Sequence, residues 1–145
     1  MPSVRDVLAV KGEQVHSVSP QTTVLDTIRK MNQHKIGAVL VMHDGQVAGI
    51  FTERDVLRRV IGEERSPATM RVAEVMTEDL ICVAPETDLD DVAAIMKQKK
   101  IRHIPVCTPD GKLHGMISIG DLNAYHASNQ EQQIHFLNEY IYGRV

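Results

Sequence analysis

The sequence predicts an α/β fold built from two copies of a β-α-β-β-α unit. Three observations predict it: an internal repeat, strand and helix patterns that alternate within each copy, and an aliphatic composition. The 145 residues are 43% hydrophobic but include no Trp, two Phe and three Tyr. The core must therefore come from Val, Ile, Leu, Met and Ala, as is common in sheets covered by helices. This length fits one compact domain or two small fused halves.

The internal repeat is visible when two segments are compared directly. Residues 15–25 align with residues 80–90 at a shift of 65 positions, which pairs Pro20 with Pro85. One extra residue in a later turn raises the shift to 66 for the rest of the copy. Self-similarity at a fixed period is the mark of repeat architectures, so agreement through helix, strand and turn indicates a duplicated unit.

Each copy opens with a short β-branched run followed by an amphipathic helix. The runs are residues 15–18 and 80–83, and apolar residues at helical spacing follow both of them. Thr22 or Thr23 is the predicted N-cap of the first of these helices, because a hydroxyl there can accept from a free backbone N–H. The first two elements of each copy are thus a strand and a helix.

A hairpin and a second helix complete each copy. Asp-Gly stands between the two apolar runs of each predicted hairpin, and this pair is typical of tight β-turns. The predicted hairpin strands are residues 36–42 with 47–51 and residues 101–107 with 113–117, and the helices that follow them are residues 54–61 and 121–128.

The repeat divides the chain into four predicted parts. Residues 1–62 form the first copy with a short N-terminal helix, and residues 63–70 form a polar linker. Residues 71–128 form the second copy with a short leading helix. Residues 129–145 carry apolar residues at helical spacing and predict a C-terminal helical tail, which would dock onto a second chain or pack back on its own module.

Charge and composition argue against several classes of protein. The net charge is −3 and the basic residues are scattered, which disfavours nucleic-acid binding. The longest uncharged apolar stretch, residues 36–42, is far shorter than the roughly 20 residues that cross a bilayer, so no membrane partner is expected. The first residues lack the pattern of a signal peptide, which predicts a cytoplasmic protein. Cys82 and Cys107 have no CxxC spacing and are expected to be reduced core thiols.

No pattern of catalytic or metal-ligating residues stands out. The seven His include no H-x-x-x-H pair and no Cys/His box, so no metal site is expected. No Ser or Cys carries a local signature of an activated nucleophile, and neither copy has the glycine pattern of a dinucleotide fold or a P-loop. We therefore expect no catalytic residues, no catalytic cofactor and no enzymatic activity.

One heptad, Gly-h-h-Thr/Ser-x-x-Asp with h apolar, closes the hairpin of both copies. It places Thr52 and Asp55 in the first copy and Ser118 and Asp121 in the second. The hydroxyl lies where a strand gives way to a helix, so it can cap that helix and donate to a phosphate at the helix N-terminus. The carboxylate one turn later can accept from both ribose hydroxyls. The heptad fits a nucleoside phosphate, or alternatively an ordinary capping box that only stabilises the helix.

Two such heptads in a duplicated unit resemble the CBS-domain family, named for cystathionine beta-synthase and present in the gamma subunits of AMP-activated kinases. The likeness covers residues 3–128. It implies two CBS repeats related by a pseudo-two-fold axis, a disc-shaped homodimer, and an adenine ligand in clefts between the repeats. AMP is the first candidate, with ADP, ATP, NAD and S-adenosylmethionine as the others.

The resemblance further implies a regulatory module that senses its ligand by conformational change and signals to a separate effector protein. The alternative is a structural homodimerisation module without a physiological nucleotide.

The resemblance also implies which residues form each cleft. Site 1 would consist of Thr52, Asp55, Ile81, Arg102, His103, Ile104 and Pro105. Arg54, which lies within the first heptad, is added to site 1 because it could reach a phosphate, or equally the neighbouring subunit. Site 2 would consist of His16, Ile36, Gly37, Ala38, Ser118 and Asp121. Because an Arg-His pair is expected only in site 1, we expect site 1 to bind the phosphate. Site 2 would bind an adenosine-like group more weakly, bind a different ligand, or remain empty.

Overall fold

The structure, a computed structural model, describes residues 2–128. The predicted C-terminal tail, with its expected docking, lies outside the described residues. The first part of the chain forms α1 (Val4–Lys11), β1 (Ser17–Val18), α2 (Val24–His34), β2 (Ala38–His43), β3 (Gln46–Thr52) and α3 (Glu53–Asp55), which continues as a π-helix, Val56–Ile61. The second part forms a 3₁₀ turn (Val72–Glu74), α4 (Leu89–Lys99), β4 (His103–Cys107), β5 (Leu113–Ser118) and a helix, α5, over residues 119–128.

In the described part of the chain the strands form two small sheets, one for each copy. In the first copy β2 and β3 form an antiparallel hairpin, and β1 lies parallel to β2. In the second copy β4 and β5 form the matching hairpin. The first strand of that copy is reduced to a single parallel bridge between Val83 and Val106. The predicted α/β fold with two repeated units is thus confirmed, with a shorter opening strand in the second unit.

The helices α2 and α4 end in the same way, and α2 begins with a side-chain cap. The side chain of Thr23 accepts from the backbone N–H of Asp26 at 3.1 Å, so Thr23 caps α2. Lys35 follows α2 with a φ of 55°, and Lys100 follows α4 with a φ of 57°. A left-handed residue is a common way to end a helix. Both copies therefore turn from helix to strand at equivalent positions.

Two leader segments, residues 3–8 and 71–76, cross over between the copies. In the first leader, the N–H of Val4 donates to the carbonyl of Thr87 at 2.9 Å. In the second leader, the N–H of Val72 donates to the carbonyl of Thr22 at 2.8 Å. Val4, Val7 and Leu8 are buried in the core of the second copy, and Val72 and Val75 are buried in the core of the first. Each copy is thus covered by the leader of the other.

The crossing leaders explain why the heptad begins with glycine. A Cβ on Gly49 would lie 2.6 Å from Sδ of Met76, in the second leader. A Cβ on Gly115 would lie 3.0 Å from a methyl carbon of Leu8, in the first leader. Both distances are shorter than ordinary van der Waals contact. Glycine at these two positions lets each leader lie against the neighbouring hairpin.

The two hairpins pack against each other through a third apolar cluster. Ala38, Leu40 and Ile50 of the first copy are buried in this cluster. Leu80, Leu113 and Met116 of the second copy pack against them. The region between the copies is therefore held by aliphatic contacts, and polar residues at its margin form the candidate site. Within residues 2–128 no helix is long and apolar enough to cross a membrane.

Candidate functional site

Both heptads form a capping box at the start of the helix that follows the hairpin. The N–H of Thr52 donates to Asp55 Oδ2 at 2.9 Å. The N–H of Ser118 donates to Asp121 Oδ2 at 2.8 Å, and Ser118 Oγ accepts from the N–H of Asp121 at 3.1 Å. Each carboxylate thus has one oxygen engaged in capping. The two sites differ in what surrounds the other oxygen.

In site 1, the second oxygen of Asp55 is used inside the protein. Asp55 Oδ1 lies 3.4 Å from the hydroxyl of Thr77 and 3.6 Å from Nε of Arg59, and the side chain is 8% exposed. Arg59 also donates to the carbonyls of Val75 and Met76, at 3.2 and 3.0 Å. Asp55 and Arg59 therefore fasten the second leader to the first copy.

The other residues predicted for site 1 differ in their contacts and in their exposure. Arg54 donates through Nη1 to the carbonyl of Lys100 at 2.7 Å, a contact between the copies. Of the rest, Arg102 is exposed, Ile81 and His103 are half-buried, and Ile104 and Pro105 are buried. The charged groups of Arg54 and Asp55 are thus both engaged in contacts within the protein.

In site 2, a cavity of about 370 Å³ opens between the copies. This volume lies within the range of roughly 300–1,000 Å³ that is usual for small-molecule sites. The lining contains the complete predicted set for site 2, namely His16, Ile36, Gly37, Ala38, Ser118 and Asp121. It also contains His103, which was predicted for site 1, and five residues that were not predicted, Lys11, Gln14, Val15, Lys35 and Met116.

The carboxylate of Asp121 is partly open to this cavity. Its Oδ2 accepts from Nζ of Lys11 at 2.6 Å, and the same Nζ donates to the carbonyl of Met116 at 2.6 Å. Within the part of the chain that the structure describes, Asp121 Oδ1 has no hydrogen-bond partner. The side chain is 22% exposed, compared with 8% for Asp55. Asp121 therefore keeps an acceptor for a ligand, which Asp55 lacks.

Site 2 also brings positively charged side chains close to its carboxylate. Two lysines and two histidines line the cavity, while Asp121 is the only carboxylate among the described residues that line it. The heptads and the family resemblance predict no cation for site 2, because neither Lys11 nor Lys35 belongs to them. Lys35 directly precedes Ile36, a predicted residue of site 2, so its position in the sequence indicated a cation beside this site. Lys11 reaches the cavity only because α1 crosses to the second copy, which a local pattern does not reveal.

Gly37 shapes the wall of the cavity between two polar side chains. A Cβ at this position would lie 2.8 Å from Oε1 of Glu53 and 3.7 Å from Cε1 of His103. The N–H of Glu53 also donates to the carbonyl of Gly37 at 3.1 Å. A larger residue would therefore displace Glu53 and intrude on the space beside His103.

His103 is held in its neutral form by its surroundings. Burial lowers the pKa of His103 below its ordinary value near 6.5, and the positive charges of Lys11 and Arg102 lower it further. The carboxylates of Asp121 and Glu53 oppose this shift. The imidazole therefore faces the cavity uncharged at neutral pH.

Acidification is expected to destabilise the protein through His103. Because the folded pKa of His103 lies below its unfolded value, the unfolded chain takes up this proton first as the pH falls. The free energy of unfolding should decrease as the pH falls from about 6.5 to the folded pKa and change no further below it. Urea unfolding at a series of pH values measures this slope, and His103→Gln should reduce it.

His16→Gln gives a second, independent test of the same effect of pH. Burial lowers the pKa of His16, with smaller contributions from His34 and Lys30, so His16→Gln should reduce the slope independently. An unchanged slope in His103→Gln would contradict the assignment of a neutral His103.

The fold and the cavity define the class of this protein: a tandem-repeat α/β module with a ligand-sized cleft between its copies. The family model of the CBS domain matches residues 4–62 and again residues 72–127. The chain belongs to the CBS-domain family and is a tandem CBS-domain pair. CBS-domain pairs are regulatory modules.

Known proteins are similar along nearly the whole chain. A CBS domain-containing protein of Arabidopsis thaliana, CBSX3, named as mitochondrial, is 37% identical over 97% of this chain and 72% of its own length. A solved protein with CBS domains from Burkholderia ambifaria is 38% identical with a TM-score of 0.85, over 89% of this chain and 96% of its own.

A more distant structure shares the fold with a ligand bound. The CBS-domain pair of protein MJ0100 was solved in complex with 5′-methylthioadenosine and S-adenosyl-L-methionine. It is 18% identical to this chain, with a TM-score of 0.78 over 89% of this chain and 98% of its own. At this identity the likeness concerns the fold.

Proposed function

We propose that this chain is a regulatory module that binds an adenine nucleotide or adenosyl compound in the cavity of site 2. One observation carries the proposal: Asp121, whose Oδ1 has no hydrogen-bond partner among residues 2–128, lines a cavity of about 370 Å³ together with two lysines and two histidines. A carboxylate beside cationic groups matches a ribose with an attached phosphate. The adenosyl ligands of the MJ0100 domain pair support the same class of ligand.

The residues of the cavity suggest separate roles. Asp121 accepts from the ribose hydroxyls through its open oxygen, as its capping bond to Ser118 leaves that oxygen available. Lys11 and Lys35 supply positive charge for a phosphate, and neutral His103 adds a hydrogen-bond partner. The cavity lies near the lower end of the usual size range, which favours a mononucleotide such as AMP over NAD.

Ligand binding would couple to the arrangement of the two copies. Ile36, Gly37 and Ala38 come from the first copy, while Ser118 and Asp121 come from the second. A ligand that contacts both walls stabilises the arrangement in which both contacts form. The output would pass to a separate effector protein, and we place this activity in the cytoplasm, without a nucleic-acid or membrane partner.

A second copy of this chain is the other partner we propose. Leu57 and Ile61 lie on one helix and are 68% and 57% exposed. Ile119, at the start of the corresponding helix of the second copy, is 42% exposed. Exposed apolar residues of this kind favour association of two chains. They also favour the alternative function, a homodimerisation module without a physiological nucleotide.

Lys11→Met should separate phosphate recognition from adenosine recognition. Loss of the cation is expected to weaken AMP binding by about 10-fold or more, since hydrogen bonds to charged groups contribute about 1.5–3 kcal/mol. Adenosine has no phosphate, so its affinity should stay the same or rise as Asp121 loses its ion pair. Titration calorimetry with AMP and adenosine measures both effects.

Lys112→Met is the control, because Lys112 is an exposed lysine of the β4–β5 turn and does not line the cavity. The wild type should first be titrated with AMP, ADP, ATP, NAD, S-adenosylmethionine and 5′-methylthioadenosine. If none of these binds, the sensor function is refuted and the homodimerisation module stands.

A further inference from the structure

We propose that Cys82 and Cys107 form a thiol modification site, in which a hydroperoxide oxidises the two cysteines to a reversible disulfide. Their sulfur atoms lie 3.5 Å apart. Cys82 is exposed and Cys107 is half-buried. The expectation that both are core thiols is therefore wrong for Cys82. This site is separate from the cavity of site 2 and does not depend on the function proposed for it.

The backbone holds the two cysteines beside each other. Val83 N–H donates to the carbonyl of Pro105 at 3.0 Å, and Cys107 N–H donates to the carbonyl of Val83 at 2.9 Å. These bonds form the only parallel bridge between the opening segment of the second copy and β4 in the described part of the chain. A disulfide bond is about 2.05 Å long, so the sulfurs must approach by roughly 1.5 Å.

The surroundings assign a different role to each sulfur. Burial raises the pKa of the Cys107 thiol to about 12, and its hydrogen bond to Cys82 raises it as well. Cys107 is therefore a protonated thiol that donates to the Cys82 sulfur. Cys82 is the more accessible sulfur and is the one that a peroxide can reach.

The oxidation proceeds in two balanced steps. The Cys82 thiol gives its proton to solvent and its sulfur attacks one peroxide oxygen: the S–O bond forms, the O–O bond breaks, and the released oxygen takes up a proton and leaves as water or alcohol. The Cys107 sulfur then attacks the Cys82 sulfenic acid: the S–S bond forms, the S–O bond breaks, and hydroxide takes the Cys107 proton to leave as water. Two thiols lose two electrons and one hydroperoxide gains them.

The disulfide would fasten a weakly held part of the second copy. The opening segment contributes Leu80 to the apolar cluster between the copies, yet it is joined to β4 through a single bridge. A covalent bond between Cys82 and Cys107 would fix that segment to the hairpin. Oxidation would thus stabilise the packing of one copy on the other.

Treatment of the full chain with hydrogen peroxide tests the site. Intact mass should show the loss of two hydrogen atoms per chain, and peptide mapping should join the Cys82 peptide to the Cys107 peptide. Dithiothreitol should reverse both changes. The oxidised protein should unfold about 5 °C higher than the reduced protein, since a disulfide restricts the unfolded chain.

Two serine variants define the roles and give controls that should fold normally. Cys107→Ser should leave Cys82 as a sulfenic acid that dimedone traps, and Cys82→Ser should lose the rapid reaction with peroxide. The proposal is overturned if the folded wild type does not react, if Cys82 forms only disulfides between chains, or if Cys82 is oxidised to sulfinic acid while Cys107 stays reduced.

Discussion

Asp121→Asn is expected to weaken AMP binding by about 10- to 100-fold, because two charge-assisted hydrogen bonds to the ribose are replaced by weaker neutral ones. Asp121 is the only carboxylate that lines the cavity within residues 2–128, and its Oδ2 retains the capping bond from Ser118. The amide of Asn can preserve much of this cap, since Asn also accepts through its side-chain oxygen. Titration calorimetry on the folded variant measures the loss.

Asp55→Asn is the matched control, since Asp55 occupies the same position in the other heptad. Its carboxylate is nearly buried and contacts Thr77 and Arg59, so AMP affinity should change by less than about twofold. The opposite result would be decisive. If Asp55→Asn abolished binding and Asp121→Asn did not, site 1 would bind the phosphate, as the Arg-His pair in the sequence predicts.

Asp55→Ala is expected to lower the free energy of unfolding by about 2–4 kcal/mol. The substitution removes the acceptor of the Thr52 N–H, the Thr77 hydroxyl and the Arg59 guanidinium. It thereby breaks the cap of α3 and the polar link that holds the second leader on the first copy. Urea unfolding of the variant and the wild type gives the difference.

Asp121→Ala is the comparison for stability, and its expected loss is smaller, about 1 kcal/mol. It loses a cap of the same kind, but its partner Lys11 has a partly exposed side chain and can return to water. Equal losses in the two variants would show that the Thr77 and Arg59 contacts add nothing beyond the cap.

Most of the fold could be predicted because its signals are local and occur twice. Apolar spacing and Thr23 predict α2, and the Asp-Gly turns predict both hairpins. The shortening of the opening strand in the second copy could not be predicted, because residues 80–83 have the composition of a strand. Whether such a run pairs over its length depends on its packing against neighbouring segments, which is a tertiary effect.

The residues that form the walls of the candidate site could be predicted from the sequence, but its positively charged side chains could not. The heptads locate Ser118 and Asp121, and the resemblance to the CBS-domain family places Gly37 on the facing wall. The charge of site 2 depends on Lys11, whose position follows from the crossing of α1 rather than from any motif. The contact between Asp55 and Arg59 could not be predicted either. Arg59 is held in place by a backbone carbonyl of the second leader, which only the fold brings close.

The crossed leaders also determine the smallest part of this chain that can fold. Cutting between the copies would leave the first hairpin without Val72 and Val75, and the second without Val4 and Leu8. Neither half contains a complete core, so neither is an independent folding unit. A single copy could bury its apolar surface only by exchanging leaders with an identical copy. The fused pair therefore has, within one chain, the architecture of a domain-swapped dimer.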